Sequence, residues 1–539
     1  MVATSAPEAT KTAVEVLETG GNAIDAAVAA AFTLGVVESQ SSGIGGVTTI
    51  VLHLANGRTI AIEGISRTPR TIDIKRFRTL KSSGRNFGYE TIAVPTTLAI
   101  LEYVRAKYGT YNLADLLQPA IELAEKGFPL SKNQTVKLEK YYDDIMNSSA
   151  YMRSLVLEDG RNIGSAGDRR RLPDLANTYR RIAAEGAESF YSGSISRDIE
   201  ADMIRGGSFL RRSDLAMVAV REIQPLHTTY RGFDVFTYPP PGGGAGVVSI
   251  LNLLENYPSD LIAANSAERH HVLLDTFRIA AADARKVVSR QKINGLNPLS
   301  KQHARNRAKL IVPGKMVPED LFSTSPDPDC VQAGKNTTHV SVADSHGNVV
   351  SLTQTLSRSF GAKVATRGLG FPYNNSLAVI NANDSRCPDY LRPNTPIMTP
   401  MSPTIVLKDG RLFVALGTPG SEMIPPVVSE IISNLVDRKM GVRAAVTAPR
   451  VLWWDRFNEA GVYIEVFDPI TKKDVKALGR MGFTKIYDLR YPPRGETKMN
   501  DFGGINAVAY DPESGVFTGV GDPRRYGSAM GPRTVAKRE

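Results

Sequence analysis

The sequence predicts a mixed α+β fold in which long helical stretches accompany strands joined by short hairpins. Three observations predict it. Residues 6–37 and 95–205 carry apolar positions at the helical period. Beyond residue 337, alternating apolar runs pair around short turns, Ser345-His346-Gly347-Asn348 and Lys408-Asp409-Gly410. Of the 539 residues, 42% are hydrophobic and 22% charged, which suits a folded globular chain and excludes a mainly disordered one.

In chain order, Ala6 to Thr19 reads as a helix stopped by Gly20-Gly21. Asn22 to Val37 is a second helix, rich in alanine and able to pack close to its neighbours. Ser41-Ser42-Gly43-Ile44-Gly45-Gly46 is a glycine-rich turn. Strands at Thr48 to Leu54 and Thr59 to Glu63 are joined by Asn56-Gly57, a hairpin signal. Helices fill most of 95–205, with apolar periodicity at Leu98–Val104, Leu116–Leu123 and Leu175–Ala184. Phe233 to Tyr238 is a strand that runs into Pro239-Pro240-Pro241-Gly242-Gly243-Gly244, and Val247 to Leu254 resumes as a helix. The triple glycine lacks the G-x-x-x-x-G-K-[ST] and G-x-G-x-x-G spacings of phosphate cradles. It reads as a tight turn with close backbone packing. Residues 312–336 are a polar, Pro/Ser/Asp-rich linker. Strands follow at Thr338–Val342, Val349–Thr355, Thr404–Leu407, Leu412–Leu416, Val462–Val466 and Ala507–Tyr510. At roughly 150 residues per domain the length suggests three or four domains, but large folds of helices and sheets often stay in one piece.

The net charge is +10. The basic residues are spread along the chain, densest at Arg169-Arg170-Arg171, Lys472-Lys473 and the Arg533–Arg538 tail. They lack the interleaved aromatics of a nucleic-acid groove, so nucleic acid is not an expected partner. Met1 to Thr10 has no basic n-region and no apolar h-region. The longest apolar run, Ile24 to Val37, is interrupted by Asp25, Thr33 and Gly35 and is too short to span a bilayer. A cytoplasmic location without a membrane partner is the expectation. Two cysteines, Cys330 and Cys387, exclude a disulfide scaffold and a Cys-based zinc ribbon. They are expected as free thiols. H-E-x-x-H, G-x-S-x-G and EF-hand patterns are absent, and the adjacent His270-His271 cannot face one way on a helix. No metal site is expected.

The informative stretch is Asn336-Thr337-Thr338-His339-Val340-Ser341-Val342, where a threonine stands at the junction of the linker and a strand. An isolated Thr-Thr there reads first as β-branched residues opening a strand. The sharper reading is a latent N-terminal nucleophile. A cut before Thr337 frees its α-amine, whose ordinary pKa of about 7.7–8.0 lets it act as a base near neutral pH. Hydroxyl and amine then form a nucleophile–base pair within one residue, and neither a histidine nor a cofactor is required.

The sequence resembles the gamma-glutamyltranspeptidase family of N-terminal-nucleophile hydrolases over nearly its whole length. The resemblance is carried by Met1-Val2-Ala3-Thr4-Ser5, Gly20-Gly21-Asn22-Ala23-Ile24-Asp25-Ala26-Ala27, Ser41-Ser42-Gly43-Ile44-Gly45-Gly46 and Tyr238-Pro239-Pro240-Pro241. It continues, in the family's order, through Thr337-Thr338-His339-Val340-Ser341-Val342-Ala343-Asp344, Met401-Ser402-Pro403-Thr404-Ile405-Val406, Gly417-Thr418-Pro419-Gly420 and Gly521-Asp522-Pro523-Arg524. The resemblance implies an α+β fold, a four-layer αββα sandwich. It implies self-cleavage between Asn336 and Thr337 into a large subunit, 1–336, and a small one, 337–539, that stay associated as one αββα domain. Thr337 is then both the residue that cuts the chain and the later nucleophile. Thr355 matches the family's second threonine, whose hydroxyl bonds the nucleophile. Gly420 and Ser421 fall on the paired glycines whose backbone N–H groups form the oxyanion hole. Ser421 replaces a glycine but keeps its N–H.

The substrate pocket departs from the family. Ile65, in Glu63-Gly64-Ile65-Ser66-Arg67-Thr68-Pro69, stands where an arginine binds the substrate α-carboxylate. Thr399 and Pro400 replace two assisting serines, and Pro400 has no N–H to donate. Ser357, Ser376 and Val379 replace the polar and acidic groups that hold the α-amino group. Loss of the arginine alone removes charge-assisted bonds of about 1.5–3 kcal/mol each. Weak or absent γ-glutamyl transfer is expected, with a less polar substrate favoured by Ile65 and Val379. Arg67 and Arg358 are the candidates for restoring a cation. The segment from Ala382 to Pro396 looks short for the family's lid, which favours hydrolysis over transfer.

The leading expectation is an amidohydrolase or acylase acting through an acyl-enzyme on a small-molecule amide or amino-acid-derived substrate. A homologue of the alkylproline-antibiotic type in secondary metabolism, cleaving a carbon–carbon bond with the same threonine, is the second reading. True γ-glutamyl hydrolysis or transfer is a third. An unprocessed, non-catalytic binding protein is a fourth.

Overall fold

The computed structural model describes residues 1–82, 86–288, 295–323, 336–382, 384–385, 387, 390–454, 460–465, 469–490 and 502–533. Two antiparallel sheets form its centre. From edge to edge, the first runs Ser528–Met530, Val2–Thr4, Asn336–Ala343, Val349–Ser357, Val47–His53, Thr59–Glu63 and Arg221–Ile223. The second runs Val516–Gly521, Asn506–Asp511, Arg411–Gly417, Thr404–Lys408, Phe233–Thr237 and Leu226–Tyr230.

Strand periodicity sorts the side chains into layers, since successive residues point to opposite faces. In the first sheet Ile50, Leu52, Val340, Val342, Val350 and Leu352 face outward, onto helices that include Pro7–Glu18, Ala23–Val37 and Thr97–Tyr108, with Leu113–Lys126 packed behind Ala23–Val37. Their neighbours Val51, Ala343 and Val349 face inward and meet Ile405, Leu407, Ala415 and Val508 of the second sheet. On the far side of that sheet, Val406, Val414, Leu416 and Ala507 pack under Gly244–Leu254, Ala267–Val288 and Ile424–Val436. The result is a four-layer αββα sandwich, with apolar side chains filling each of the three gaps.

The helix Ala23–Val37 is buried along its whole length. Asn22 caps it, and the Asn22 and Asp25 side chains each accept from the other's backbone, a reciprocal capping box. Its alanines let it lie close against the first sheet, where Gln354 Nε2 donates to the Ala31 carbonyl at 3.1 Å.

Most strands and helices predicted with explicit bounds fall within a residue or two of their observed ends, whereas the helices Ala267–Val288 and Ile424–Val436 and the strands Leu226–Tyr230 and Val516–Gly521 are absent from the sequence prediction. The helix predicted at Val247 begins earlier, at Gly244. The linker predicted at 312–336 is described up to residue 323, and 324–335 lie outside the described residues. Asn336, placed at the linker's end, is already part of the strand. The expectation of free thiols is corrected: Cys387 is buried and disulfide-bonded. The other cysteine of the sequence, Cys330, lies outside the described residues. No helix among the described residues is long and apolar enough to cross a membrane.

Candidate active site

The strand Asn336–Ala343 is an inner strand, flanked by Val2–Thr4 and Val349–Ser357. Its odd-numbered side chains point between the sheets. Ser341 Oγ donates to the Asn506 carbonyl, and the His339 ring lies against Gly417. Thr337 shares this face and is 6% exposed. Opposite it the pairing register slips between Gln354 and Ser357, a β-bulge that places an extra residue on the Val349–Ser357 strand. Ser357, at φ 77°, absorbs the turn this requires.

The bulge brings Thr355 to Thr337. Thr337 Oγ1 donates to Thr355 Oγ1 at 3.3 Å. Thr355 Oγ1 in turn donates to the carbonyl oxygen of Asn336 and accepts from the Ser357 N–H at 2.8 Å. One hydroxyl thus contacts both the nucleophile candidate and the carbonyl of the peptide bond before it. The Asn336 carboxamide is held independently. Its Nδ2 donates to the Gln40 carbonyl at 2.9 Å and to Ser359 Oγ at 3.1 Å, and its Oδ1 accepts from Ser41 Oγ at 3.1 Å. Ser41 of the glycine-rich turn supplies part of this grip. A Cβ on Gly46 would lie 2.5 Å from the Thr355 carbonyl oxygen, so glycine there permits the close approach of Thr355.

Thr337 and Thr355 open onto a cleft of about 450 Å³, including space open to solvent, lined also by Val47, Ile65, Ser66, Ser357, Ser376, Val379, Ile397, Met398, Thr399, Pro400 and Met401. Ile65, Ser357, Ser376, Val379, Thr399 and Pro400, named from the sequence for the substrate pocket, therefore share one cavity with Thr337. No charged side chain among the described residues lines it. The wall at 399–401 is braced by the proline–glycine turn, where Thr399 N donates to the Pro241 carbonyl and Gly243 N to the Met401 carbonyl, each at 3.0 Å. A Cβ on Gly243 would meet the Pro400 carbonyl oxygen at 2.2 Å.

Gly420 and Ser421 follow the strand Arg411–Gly417 and have left-handed backbones, with φ 141° and 60°. No hydrogen bond leaves the N–H of either residue among the described residues. They are not part of the cleft lining. Arg67 is engaged elsewhere, donating to the Asn394 carbonyl at 3.0 Å. That bond, together with Thr68 N to the Thr395 carbonyl and Ile397 N to the Ser66 carbonyl, ties residues 394–397 to 66–68. Arg358 follows a lining residue but is not itself one. His339 bonds Thr353 Oγ1 and Ser341 Oγ, and burial pushes its pKa down to about 3, so it is neutral and serves the packing between sheets. No group of three or more His, Cys, Asp or Glu side chains suited to a metal ion occurs among the described residues.

Sequence reasoning did not single out Val47, Ser66, Ile397, Met398 or Met401, nor the grip of Gln40 and Ser359 on Asn336. The available signal was proximity: Ser41 and Met401 each belong to a stretch that carries the resemblance.

Comparisons with known proteins place the chain among enzymes of known family and fold. A family model described as Gamma-glutamyltranspeptidase matches residues 9–532. The chain is 32% identical over 502 residues to a glutathione hydrolase proenzyme of Pseudomonas sp. (strain A14), covering 89% of this chain and 86% of the relative. It is 32% identical over 547 residues to the Acylase ACY 1 proenzyme of Pseudomonas sp. (strain V22), covering 98% and 93%. Among solved structures, a cephalosporin acylase from Bacillus halodurans superimposes with a TM-score of 0.85 at 25% identity, over 99% of this chain and 95% of that one.

Proposed function

The chain belongs to the gamma-glutamyltranspeptidase family, an enzyme family of hydrolases and transferases made as proenzymes, and from that premise we propose that it is a self-processing N-terminal-threonine amidohydrolase whose substrate is less polar than a γ-glutamyl group. The observation that carries the reading is the chain of contacts from Thr337 Oγ1 to Thr355 Oγ1 to the Asn336 carbonyl, at the head of a cleft whose described lining is uncharged.

The chemistry follows from those contacts. The Thr355 hydroxyl polarises the Asn336 carbonyl while it receives the Thr337 hydroxyl proton in a hydrogen bond. Thr337 Oγ1 adds to the Asn336 carbonyl carbon. The C–N bond then breaks, its nitrogen takes a proton, and an ester joins Asn336 to Thr337 Oγ1. Water cleaves the ester, leaving the Asn336 carboxylate and a free Thr337 α-amine and hydroxyl. In the processed protein, residues 1–336 and 337–539, the amine accepts the hydroxyl proton as Thr337 attacks a substrate amide. Gly420 and Ser421 hold the resulting oxyanion through their N–H groups. Water then releases the acyl group. Ile65 and Val379, in place of charged and hydrogen-bonding groups, favour an apolar acyl moiety.

Intact mass and N-terminal sequencing of the purified protein, beside Thr337→Ala, test the nucleophile. The expected result is a new N-terminus at Thr337 in the wild type and an uncut variant. A wild type that stays whole, or a variant that is still cut at this bond, overturns the reading. Product analysis on neutral acyl amides and on a γ-glutamyl amide then tests the substrate class. Faster release from the γ-glutamyl amide overturns the less polar assignment, and products of carbon–carbon cleavage replace the hydrolase reading by a lyase using the same threonine.

A further inference from the structure

The described lining of the cleft is uncharged, but an arginine whose side chain has no hydrogen-bond acceptor among the described residues lies one residue beyond it. Ser357 lines the cleft and Arg358 follows it. The Arg358 backbone N–H donates to Asn375 Oδ1 at 3.0 Å, and the residue after Asn375 is another lining residue, Ser376. The Arg358 backbone is therefore fixed beside the cleft lining. Its guanidinium meets no hydrogen-bond acceptor among the described residues, and its Nε is buried. The residue as a whole remains partly exposed.

Behind it stands a second cation. Lys363 is buried, with its Nζ 3.2 Å from Asp144 Oδ2 and 4.7 and 5.2 Å from the ring centres of Phe87 and Tyr141. Among the described residues Asp144 is the carboxylate acting on both cations, and its oxygen already serves Lys363. Burial lowers the pKa of both groups, and the Arg358 charge lowers that of Lys363 further, while Asp144 opposes both shifts. An arginine that loses water without gaining an acceptor is unfavourable until an anion reaches it. Its planar fork matches a carboxylate in two parallel hydrogen bonds.

We propose that Arg358, backed by Lys363, is an anion subsite at the edge of the Thr337 cleft that takes a carboxylate of the substrate. Arg358 makes the contact. Lys363 occupies Asp144 and so keeps the guanidinium free. The proposal rests on the amidohydrolase reading for the carboxylate's source, on the acyl chain or on the amine product, but not for the binding itself.

The test separates the two. Adipate and its neutral diamide are titrated by calorimetry into the full-length Thr337→Ala chain, with and without Arg358→Gln. Adipate is expected to bind at least about ten-fold more weakly to the double variant, with the diamide unchanged. Equal adipate affinity in both chains, or no adipate binding to either, overturns the subsite. Should Arg358→Gln fail to fold, Arg358→Lys, which keeps the charge without the fork, carries the test. Its adipate affinity is expected to fall relative to the parent chain, and an unchanged affinity counts against the subsite. In the processed enzyme, Arg358→Gln is expected to raise KM selectively for amides bearing the carboxylate on one side of the scissile bond, which identifies its source. Arg358-dependent adipate binding in a protein that hydrolyses no amide preserves the subsite and sinks the hydrolase reading.

Discussion

Thr355 makes the contacts on which the proposed processing depends. It donates to the Asn336 carbonyl and accepts from Thr337. Thr355→Ala is expected to slow self-cleavage by about 10²-fold, the loss typical of one donor to a developing oxyanion, with Thr355→Ser recovering most of it. The fraction of cut chain against time, read by intact mass, checks this, and an alanine variant that processes at the wild-type rate removes Thr355 from the mechanism. After cleavage the base is the α-amine, which must be neutral to accept a proton. Hydrolysis is therefore expected to rise with pH through one ionisation at or below about 7.7–8.0, since Thr337 is buried and burial disfavours the charged amine. A pH-independent rate across that range argues against an amine base. At this scale the sequence was highly legible. The residues named from it for the nucleophile, its partner and the pocket share one cleft, because each was read at a position matched to the family's pattern. Arg67 was less legible: its reach to the Asn394 carbonyl depends on a loop more than three hundred residues away.

Elements act on the site through close backbone approaches. The glycine-rich turn lies against the bulge, and the Gly46→Ala methyl would meet the Thr355 carbonyl oxygen. Relief requires the bulge to move, so the substitution is expected to slow self-cleavage while costing about 1–3 kcal/mol in stability. Processing time courses together with urea unfolding check both parts, and normal processing would mean that the bulge tolerates displacement. The helix before that turn ends at Glu38, which is buried beside Thr338. Burial pushes its carboxyl from 4.5 up to about 7, against the opposing influences of Thr338, Arg525 and Asn133. A raised acid keeps its proton in the folded state while the unfolded chain ionises. Stability from this group is thus full below pH 4.5 and is lost as pH rises towards 7, by about 3 kcal/mol in all. Urea unfolding of the uncut Thr337→Ala chain, with and without Glu38→Gln, measures it. The stability difference between the two is expected to change by about that amount between pH 4.5 and 7. A constant difference would show that Glu38 ionises normally. Neither the burial of Glu38 nor the bulge is visible in local periodicity, since both arise where the helix layer meets the sheet.

Over the whole molecule, the proposed cut does not divide the sandwich. The first sheet interleaves strands from both sides of it: Asn336–Ala343 pairs with Val2–Thr4, and Val349–Ser357 with Val47–His53. In the second sheet, Thr404–Lys408 pairs with Phe233–Thr237. Separating residues 1–336 from 337–539 would break these ladders and expose all three apolar layers. The two pieces are expected to co-elute in native size-exclusion chromatography and to part only in denaturant. Separation in dilute native buffer would contradict the interleaved pairing.

The sequence by itself determined the threonine at the head of a strand and the family resemblance, which in turn implied the αββα layering and the loss of charge from the pocket. These are matters of residue identity at the positions of the family's motifs. Tertiary structure alone decided that Val47, Ile397 and Met398 complete the cleft around Thr337, that a one-residue bulge delivers Thr355 to the Asn336 carbonyl, and that Arg358 lacks an acceptor among the described residues. The physical reason is that each of these depends on which distant backbones approach one another. That is set by how two twisted sheets and their helices fill a common interior, and no short window of sequence encodes it.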